Sequence, residues 1–456
     1  MKKSFLLIIA ILFSVMSFSQ QNDSIMVKKI VDEVLINGDA YSNLKKLCKD
    51  VGHRLSGSEN FLKAVALTSK MLKDAGADTV YLQECKIPHW VRGEKEKGEI
   101  IFKNGKTHQF HLTALGNSVG TPSKGITSVK IVEVKNLADI PMMANELKGN
   151  IVFLNIPMNP TYINTFRAYG ESTGSRTYGP SMAAKYGAIG ALVRTLDVNI
   201  NDVPHTGVTR YNDSFPKIPA VAISTKDAEL LSKELKNNQV KSVWFFTGCK
   251  ILPDAIGYNV VGEIRGSEFP KEIITVGGHL DSWDLAEGAN DDGSGVVQSI
   301  EVIRSFKSLG IHPKRTIRTV LFADEEISGK GSAAYLSNAI TNQEHHIFAL
   351  ESDAGGFSPR GFGFDASNAK MNQILGWKPL FLPYGVYEFY RGGGGSDIGP
   401  LKKIGATLAG LMPDSQRYFD IHHATTDVFE NVSERELKLG AGVMAALIYL
   451  VSEYGI

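Results

Sequence analysis

The sequence predicts an α/β protein with a mainly parallel, mixed sheet flanked by helices. Short apolar runs rich in β-branched residues alternate with segments whose apolar residues recur at helical spacing. Polar residues follow directly after three of these runs, at the edge where open α/β sheets place their ligands. A chain of 456 residues exceeds a single core. Since the texture of the sequence changes between about 111 and 252, we expect an inserted second domain there.

The amino end has the pattern of a secretory signal peptide. Lys2 and Lys3 precede an apolar run over 5–16, and Ser17-Phe18-Ser19 follows it. This run is too short to span a bilayer, and so is the apolar run at 443–451. We therefore predict a signal peptide over 1–19, a mature chain that is secreted or periplasmic, and no membrane anchor.

Composition and charge favour an ordinary globular enzyme. Hydrophobic residues make up 43% of the chain and charged residues 21%, and the formal net charge is +1. This balance gives no reason to expect nucleic acid or an anionic membrane as a partner. Cys48, Cys85 and Cys249 form an odd set without Cys-x-x-Cys spacing. One disulfide is possible, but its pairing stays open.

The first part of the main domain, 20–110, has the pattern of helix, turn, helix and strand. His53 lies in a Gly/Ser-rich break before the second helix, where a structural role is favoured over metal ligation. The alternating pattern of the main sheet resumes in the last part, 253–456, first at 258–264.

The insertion at 111–252 shows strand and helix patterns but no catalytic cluster. It predicts strands at 149–154, 188–193 and 218–223 and a helix at 181–186. We expect this α/β or β-rich domain to cover a site built elsewhere.

A short buried strand at 273–276 leads into the stretch that we expect to hold a metal. His279 and Asp281 follow this strand, and Asp291 lies just before a helix marked by apolar residues at helical spacing. Imidazole together with carboxylates is the ligand set of zinc or a similar divalent ion. Taken alone, the Asp-Asp-Gly-Ser-Gly sequence at 291–295 could equally be a turn that caps a helix.

Two further strands and one loop add polar groups at the same edge. The strand at 317–322 is followed by Glu325 and Glu326, and the strand at 347–350 by Asp353. The cluster at 418–427 adds imidazoles before the final helix. Because adjacent parallel strands lie about 4.8 Å apart, side chains at their ends can share one small volume. A solvated surface, the ordinary role of a lone Glu-Glu pair, thereby becomes the less favoured interpretation.

This collection of groups suits metal-assisted hydrolysis of an amide. Two neighbouring glutamates point in different directions, so one can bind metal while the other faces water. Two divalent ions about 3.5 to 4 Å apart can share a bridging carboxylate and a water whose pKa is lowered toward neutrality. A free carboxylate nearby can take a proton from that water and pass it to the leaving amine.

The order of these motifs resembles the zinc-dependent exopeptidases of family M28. That order is His-x-Asp, Gly-Ala-x-Asp-x-x-Ser-Gly, Glu-Glu, Asp and His, and the resemblance covers nearly the whole mature chain. It implies a zinc-exopeptidase, phosphorylase/hydrolase-like fold with an inserted protease-associated domain at 111–252. It also implies a homodimer with two Zn²⁺ per chain that hydrolyses dipeptides or short peptides.

The resemblance also implies a role for each residue. His279 and Asp353 would bind the first zinc, Glu326 and His423 the second, and Asp291 would bridge them, while Glu325 would be the general base and then the acid. Asp291 is preferred over Asp292 because it stands three residues before Ser294 in the family's Asp-x-x-Ser-Gly.

Two further acidic residues would support the ligands. Asp281 would orient His279 through its other ring nitrogen, a common support for a metal-bound histidine. Asp427 matches the acidic residue that follows the ligand histidine in the family motif, which also favours His423 over His422.

The chain departs from the family pattern next to His423. Ala424 replaces the usual Ser or Thr, and His422 stands where several members carry a tyrosine that stabilises the tetrahedral intermediate. Tyr418, His422 and Ser396, which follows a Gly run at 392–395, are therefore candidates for binding the oxyanion. That Gly run lacks the Gly-Lys-Ser/Thr ending of a phosphate loop.

Two other functions fit the same fold. A glutaminyl cyclase would use one zinc, and a non-catalytic receptor or scaffold would have lost ligands or the base. The complete set of candidate residues argues against both. Side-chain preference, the requirement for a free amino or carboxyl terminus, and the physiological metal are not encoded in any of these motifs.

Overall fold

The main sheet is built from two segments that are far apart in the chain. In the computed structural model, which describes residues 21–456, the first segment contributes helices and one strand. These are α1 (21–37), α2 (Ala40–Lys46), α3 (Glu59–Asp74) and β1 (Thr79–Val91). The predicted signal peptide at 1–19 lies outside the described residues.

An inserted region, which we define as 97–246, follows β1 and forms two smaller sheets. Its strands are β2 (Lys97–Phe102), β3 (Thr107–Gln109), β4 (Leu112–Ala114), β5 (Ile126–Ser128), β6 (Ile131–Val134), β7 (Ile151–Leu154), β8 (Gly190–Arg194), β9 (Ala220–Ile223) and β10 (Val240–Phe246). Its helices are α4 (Ala144–Leu147), α5 (Thr165–Ser172), α6 (Gly174–Thr177), α7 (Gly179–Ala184) and α8 (Thr225–Lys236). The strands predicted at 149–154, 188–193 and 218–223 correspond to β7, β8 and β9.

The last segment completes the main sheet and its helical layers. Its strands are β11 (Lys250–Ile264), β12 (Phe269–His279), β13 (Arg315–Phe322), β14 (His345–Glu351), β15 (Pro359–Asp365), β16 (Glu388–Arg391) and β17 (Thr407–Pro413). Its helices are α9 (Ser294–Ser308), α10 (Lys330–Thr341), α11 (Asn368–Phe381) and α12 (Glu434–Tyr454). We refer to 21–91 and 250–456 together as the main-sheet part.

The main sheet has eight strands in the order β1-β11-β13-β12-β14-β17-β15-β16. Strands β13, β12, β14 and β17 are adjacent and parallel, while β11 and β15 run antiparallel to their central neighbours β13 and β17. Every residue of β13 is buried, as expected where helices cover both faces of a parallel sheet. The predicted α/β fold with a mixed sheet is therefore confirmed.

The inserted region starts earlier than the sequence suggested. Strands β2 and β3 lie before residue 111, yet they join β10 and β5 in a four-stranded antiparallel sheet. The second inserted sheet has the order β4-β9-β8-β7-β6. An alternating strand pattern looks the same whichever sheet the strand joins, so the predicted boundary at 111 moves back to the connection between β1 and β2.

Two helices of the last segment form the centre of the core. Val296 and Ile300 of α9 and Val443 and Leu447 of α12 are fully or almost fully buried in one hydrophobic cluster with the sheet. Among the described residues, only α12 is long and apolar enough to cross a membrane, but 72% of its apolar window is buried inside the protein. Such burial is typical of a helix in a protein core.

The three cysteines lie within the described part of the chain. Cys48, Cys85 and Cys249 are all buried with free thiols. No disulfide therefore links them, and burial raises the pKa of the Cys48 and Cys85 thiols to about 12. These thiols act as small core side chains.

Candidate metal centre

Three parallel strands end side by side and bring their polar ends together. The pairing of β12 sets His279 beside Phe322 of β13, and Gly277 beside Glu351 of β14. The loops that follow β13 and β14 carry Glu325, Glu326 and Asp353, as the sequence predicted. Two other loops, between β12 and α9 and between β17 and α12, add Asp291 and His423.

Asp291 lies between two pairs, each made of one imidazole and one carboxylate. Its Oδ1 is 3.2 Å from His279 Nε2, which is 3.3 Å from Asp353 Oδ1. Its Oδ2 is 3.1 Å from His423 Nε2, which is 3.0 Å from Glu326 Oε2. The structure thus brings all five predicted ligands together, with Asp291 between the other four.

The spacing and chemistry of these donors fit divalent metal ions. Zinc bound tetrahedrally at 2.0–2.1 Å separates neighbouring donor atoms by about 3.3 Å. The nitrogen–oxygen distances around Asp291 are 3.0 to 3.3 Å. Asp291 Oδ2 and Glu326 Oε1 are buried and have no hydrogen-bond partner. Buried carboxylate oxygens without a donor are expected where a cation completes the site.

The neighbouring Asp292 has a different role from Asp291. Its Oδ2 accepts the backbone N–H of His279 at 3.0 Å, and its Oδ1 accepts that of Gly295 at 2.9 Å. The peptide bond between Asp291 and Asp292 is cis. Because both oxygens of Asp292 are taken by backbone donors, Asp291 is the carboxylate that faces the centre.

The charges of the ligand side chains depend strongly on one another. Burial alone would lower the pKa of His279, but the carboxylates of Asp353 and Asp291 outweigh it and raise that pKa well above its usual range. At His423, the effect of burial is likewise overcome, chiefly by Glu326, and the pKa rises to about 10. Protons and metal ions therefore compete for the same ring nitrogens.

The carboxylates of the centre shift in opposite directions. Burial raises the pKa of Glu326 to about 8 and that of Asp353 to about 6. Burial acts on Asp291 in the same sense, but the neighbouring imidazoles of His279 and His423 hold its pKa well below the usual range. Of these carboxylates, Asp291 therefore holds a proton least readily.

Asp281 contacts His279 through its backbone rather than through its side chain. His279 Nδ1 lies 3.0 Å from the carbonyl oxygen of Asp281 and 3.8 Å from the carboxylate Oδ1. The carboxylate instead accepts the backbone N–H groups of Glu325 and Glu326 at 3.1 and 3.3 Å and the Ser56 hydroxyl at 3.1 Å. Asp281 thus meets the other ring nitrogen of His279 through its carbonyl oxygen, because these three donors occupy the carboxylate.

Asp427 supports the loop that carries Asp291. Its Oδ1 accepts the backbone N–H of Asn290 at 2.8 Å, and its Oδ2 accepts that of Asp291 at 3.1 Å. Asp427 therefore fixes the backbone position of Asp291.

Arg54 is a supporting residue that the sequence did not reveal. It is 0% exposed, and its guanidinium donates to the carbonyls of Leu280, Glu287 and Gly288 at 2.8, 2.6 and 2.9 Å. It thereby holds both ends of the loop that leads from His279 to Asp291. A single arginine in a Gly/Ser-rich break gave no signal of this role, and its neighbour His53 is in none of the candidate metal groups of the described residues.

A cavity of about 300 Å³ opens over the centre. The three residues proposed for the oxyanion, Ser396, Tyr418 and His422, all line it together with Glu325. Burial raises the pKa of the Tyr418 hydroxyl well above its usual range, so this group keeps its proton. Burial lowers the pKa of His422 well below its usual range, so the ring, stacked 3.6 Å from that of His423, is neutral.

The inserted region supplies another wall of this cavity. Phe166, Tyr169 and Arg176 line it from α5 and α6, and the Thr206 N–H donates to the carbonyl of His423 at 2.9 Å. The sequence predicted that the insertion would cover the site, but it did not identify these residues. Isolated aromatic and basic residues on short helices form no recognisable motif.

A larger, apolar cavity of about 470 Å³ lies within the inserted region. It is lined chiefly by aromatic and aliphatic side chains, and no carboxylate or imidazole reaches it. Of these two cavities of the described residues, only the smaller is lined by imidazoles and carboxylates, and it is therefore the candidate active site.

Comparison with known proteins gives a consistent result. The model of peptidase family M28 matches residues 259–448, a span that contains all five predicted ligands and Glu325. Carboxypeptidase Q of Homo sapiens is 35% identical over 434 residues, covering 94% of this chain and 89% of the relative. Carboxypeptidase Q of Bos taurus is 34% identical with the same coverage.

Solved structures share the fold. A peptidase M28 precursor from Shewanella amazonensis superposes with a TM-score of 0.90 at 28% identity, covering 96% of this chain and 98% of that chain. A zinc aminopeptidase from Bacillus subtilis, 20% identical, superposes with a TM-score of 0.64 over 90% of this chain and 94% of that chain. The inserted region is therefore part of the architecture that the Shewanella structure shares.

Proposed function

The chain is a metallopeptidase of peptidase family M28, and from that premise we propose that it is an exported, dinuclear zinc exopeptidase that hydrolyses dipeptides or short peptides. The observation that carries the proposal is the position of Asp291 between two imidazole–carboxylate pairs, His279 with Asp353 and His423 with Glu326. A single carboxylate shared by two such pairs suits a pair of divalent ions.

Each ion would take one of these pairs and one oxygen of Asp291. Zinc is favoured because the donors are imidazole nitrogens and carboxylate oxygens with tetrahedral spacing. When bound, two zinc ions supply Lewis acidity to a substrate carbonyl and lower the pKa of a water toward neutrality. The protein contributes the position of the ligands, which Asp281, Asp292, Asp427 and Arg54 hold through backbone contacts.

Glu325 is the proposed general base. Its backbone is fixed by the bond from its N–H to Asp281 Oδ1 at 3.1 Å, and its side chain lines the cavity beside the ligand Glu326. No described residue donates a hydrogen bond to its carboxylate. It is thus free to take a proton from water and to return it to the leaving amine.

Tyr418 is the preferred partner of the oxyanion among the three candidates. It lines the cavity next to His279, Asp291 and Asp353, and its hydroxyl stays protonated because burial raises its pKa. A protonated hydroxyl can donate a hydrogen bond to a developing negative charge. His422 and Ser396 line the same cavity and remain the alternatives.

The cavity favours small substrates. Its volume of about 300 Å³ lies at the low end of the range for small-molecule sites, roughly 300 to 1,000 Å³. Walls from both the main-sheet part and the inserted region enclose it, which suits a dipeptide or the end of a short peptide. Export, a homodimer and the protease-associated identity of the insertion rest on the amino-terminal pattern and on the family resemblance.

Metal content and hydrolysis test the proposal together. We would measure zinc per chain in the purified mature protein and assay a dipeptide panel before and after chelation. We expect two zinc ions per chain and cleavage that is lost on chelation and restored by zinc. One ion or none, with no cleavage after zinc is restored, would contradict the proposal and favour a cyclase or a non-catalytic protein.

A further inference from the structure

Arg176, in α6 of the inserted region, is a buried cation without an acidic partner. It is 5% exposed, and no described carboxylate forms an ion pair with it. Its Nη2 donates to the Tyr169 hydroxyl at 2.6 Å. Its Nη1 makes two long contacts of 3.4 Å, with the carbonyl of Thr206 and with His423 Nδ1, and its Nε is buried with no partner.

The other buried arginines of the described residues are neutralised or enclosed. Arg194, Arg315 and Arg318 each form an ion pair with at least one glutamate, and Arg54 is surrounded by backbone carbonyls. Burying a guanidinium without such compensation costs several kcal/mol. Arg176 is therefore kept in a position that the fold alone does not favour.

Backbone geometry makes room for this guanidinium. Gly207 has a φ of +125°, and a Cβ atom there would lie 2.4 Å from Arg176 Cζ. A side chain at 207 would thus displace the guanidinium from the cavity wall. The glycine allows Arg176 to reach the cavity that Glu325, Asp353 and His423 line from the other side.

Binding of metal would leave the donors of Arg176 free. Arg176 Nη1 lies 3.4 Å from His423 Nδ1. When Nε2 of a neutral histidine binds metal, its proton is on Nδ1, which then cannot accept a bond from arginine. The Thr206 carbonyl, 3.4 Å from Nδ1, can accept that proton instead. Nη1 and Nε of Arg176 then remain available.

The net charge of the loaded cavity favours an anion. Asp291, Glu326, Asp353 and Glu325 together carry four negative charges when ionised, and two divalent ions would offset all four. Arg176, together with the exposed Arg210 at the same cavity, would then leave the cavity with a positive charge. Two N–H groups of a guanidinium match the two oxygens of a carboxylate.

We infer that Arg176 receives the C-terminal carboxylate of the substrate, an assignment that rests on the proposed peptidase function. The guanidinium lies on the Nδ1 side of the His423 imidazole, whose Nε2 faces Asp291 and Glu326. A carboxylate bound to it would therefore be separated from the metal pair by about the width of one imidazole, a span that the residue directly after the scissile bond can cover. Substrates with a free carboxylate on that residue should then be preferred.

Matched substrates and variants test this inference. The substrates are a neutral dipeptide, its C-terminal amide, and an amide whose second residue is glutamate. The variants are Arg176→Gln, Arg176→Lys and the control Arg167→Gln, which removes an exposed positive charge from α5 that stacks on Tyr162. We would measure kcat and KM for each combination of protein and substrate, with zinc content and circular dichroism as tests of folding.

We expect wild-type protein to prefer the free acid over its amide by about 10- to 100-fold in kcat/KM, mainly through KM. Arg176→Gln should remove this preference, Arg176→Lys should restore part of it, and Arg167→Gln should retain it. A preference that survives in folded, zinc-loaded Arg176→Gln would overturn the inference. If the Arg176-dependent preference appears for the glutamyl amide and not for the free acid, the C-terminal assignment is wrong and a side-chain carboxylate is bound.

A binding assay separates failure of the inference from failure of the proposed function. The dipeptide and its amide are titrated calorimetrically into zinc-loaded Glu325→Gln protein with and without Arg176→Gln. Tighter binding of the acid that depends on Arg176 supports the inference even if wild-type protein cleaves nothing in the panel. Equal binding of acid and amide to protein that retains Arg176 would overturn it even if hydrolysis is observed.

Discussion

The main-sheet part and the inserted region contribute to the same cavity in different ways. In the main-sheet part, each ligand-bearing loop is fixed by bonds to its backbone, from Asp292 to His279, from Asp427 to Asp291 and from Asp281 to Glu325. In the inserted region, Arg176 and Tyr169 depend mainly on each other and on packing. Metal chemistry thus needs ligands held from outside, whereas substrate recognition is left to side chains that can vary.

Replacing the proposed base should cause the largest loss of turnover while the metal ligands of the main-sheet part stay in place. Glu325→Gln keeps the shape of the side chain but removes the proton acceptor, so we expect turnover to fall by about 10²- to 10⁴-fold. Zinc content should stay at the wild-type value, because Glu325 is not among the five ligands. Steady-state kinetics and elemental analysis on the same sample check both parts, and near-normal turnover would remove Glu325 from this role.

Removing a support of the bridging ligand should have the next largest effect. Asp427→Ala frees the backbone N–H groups of Asn290 and Asp291, so zinc affinity or activity should fall by about 10- to 100-fold. Zinc dissociation can be followed with a competing chelator. Asp420→Ala serves as the control, because its carboxylate binds Asn199 at the outer side of the same loop. Equal loss in both variants would mean that the loop, and not the bond to Asp291, is responsible.

Acid should weaken metal binding by about tenfold per pH unit for each proton that the metal displaces. The pKa of Glu326 rises from 4.5 to about 8, and that of His423 from 6.5 to about 10. At these two groups, the metal-free folded protein therefore holds more protons than the unfolded chain between about pH 4.5 and 10. Their contribution to its stability falls as the pH rises through this window, whereas zinc binding strengthens.

Melting temperatures measure these opposite pH dependences of stability and zinc binding directly. The difference in Tm between zinc-loaded and chelated protein should widen from pH 6 to pH 9. A constant difference over that range would show that the raised pKa values of His423 and Glu326 do not govern metal binding.

The smallest expected effect lies in the inserted region. Tyr169→Phe removes the hydroxyl that accepts from Arg176 but keeps the ring, so we expect KM for a dipeptide to rise by about tenfold or less with kcat and zinc content unchanged. If Tyr169→Phe leaves the hydrolysis of the dipeptide amide unaffected, the difference between the inserted region and the main-sheet part is supported more strongly. A large loss of zinc would instead mean that the inserted region helps to hold the metal ligands in place.

The ligands could be predicted because local signals mark them. His279, Glu326 and Asp353 each follow an apolar strand, and the parallel pairing of β12, β13 and β14 turns this local pattern into proximity. The choice of Asp291 over Asp292 came from motif spacing and agrees with the hydrogen bonds that occupy Asp292. These features depend on short segments of sequence.

The supporting contacts could not be predicted because they join distant parts of the chain. Arg54 reaches the carbonyls of Leu280 and Gly288 across more than 220 residues, and Arg176 meets His423 across 247. Asp281 was assigned to His279, which it contacts through its carbonyl oxygen, whereas its side chain binds the turn at Glu325. The partner of a buried polar group is set by the assembled fold, and a single sequence does not encode it locally.

The position of α12 has a consequence for the order in which the chain folds during synthesis. This helix supplies Val443 and Leu447 to the centre of the core, so the main core is complete only after residues 434–454 have left the ribosome. The strands of the inserted region are contiguous, from β2 to β10, and this region can fold while the rest is still open. A nascent chain that ends before His423 would hold a folded inserted region but an incomplete set of predicted ligands.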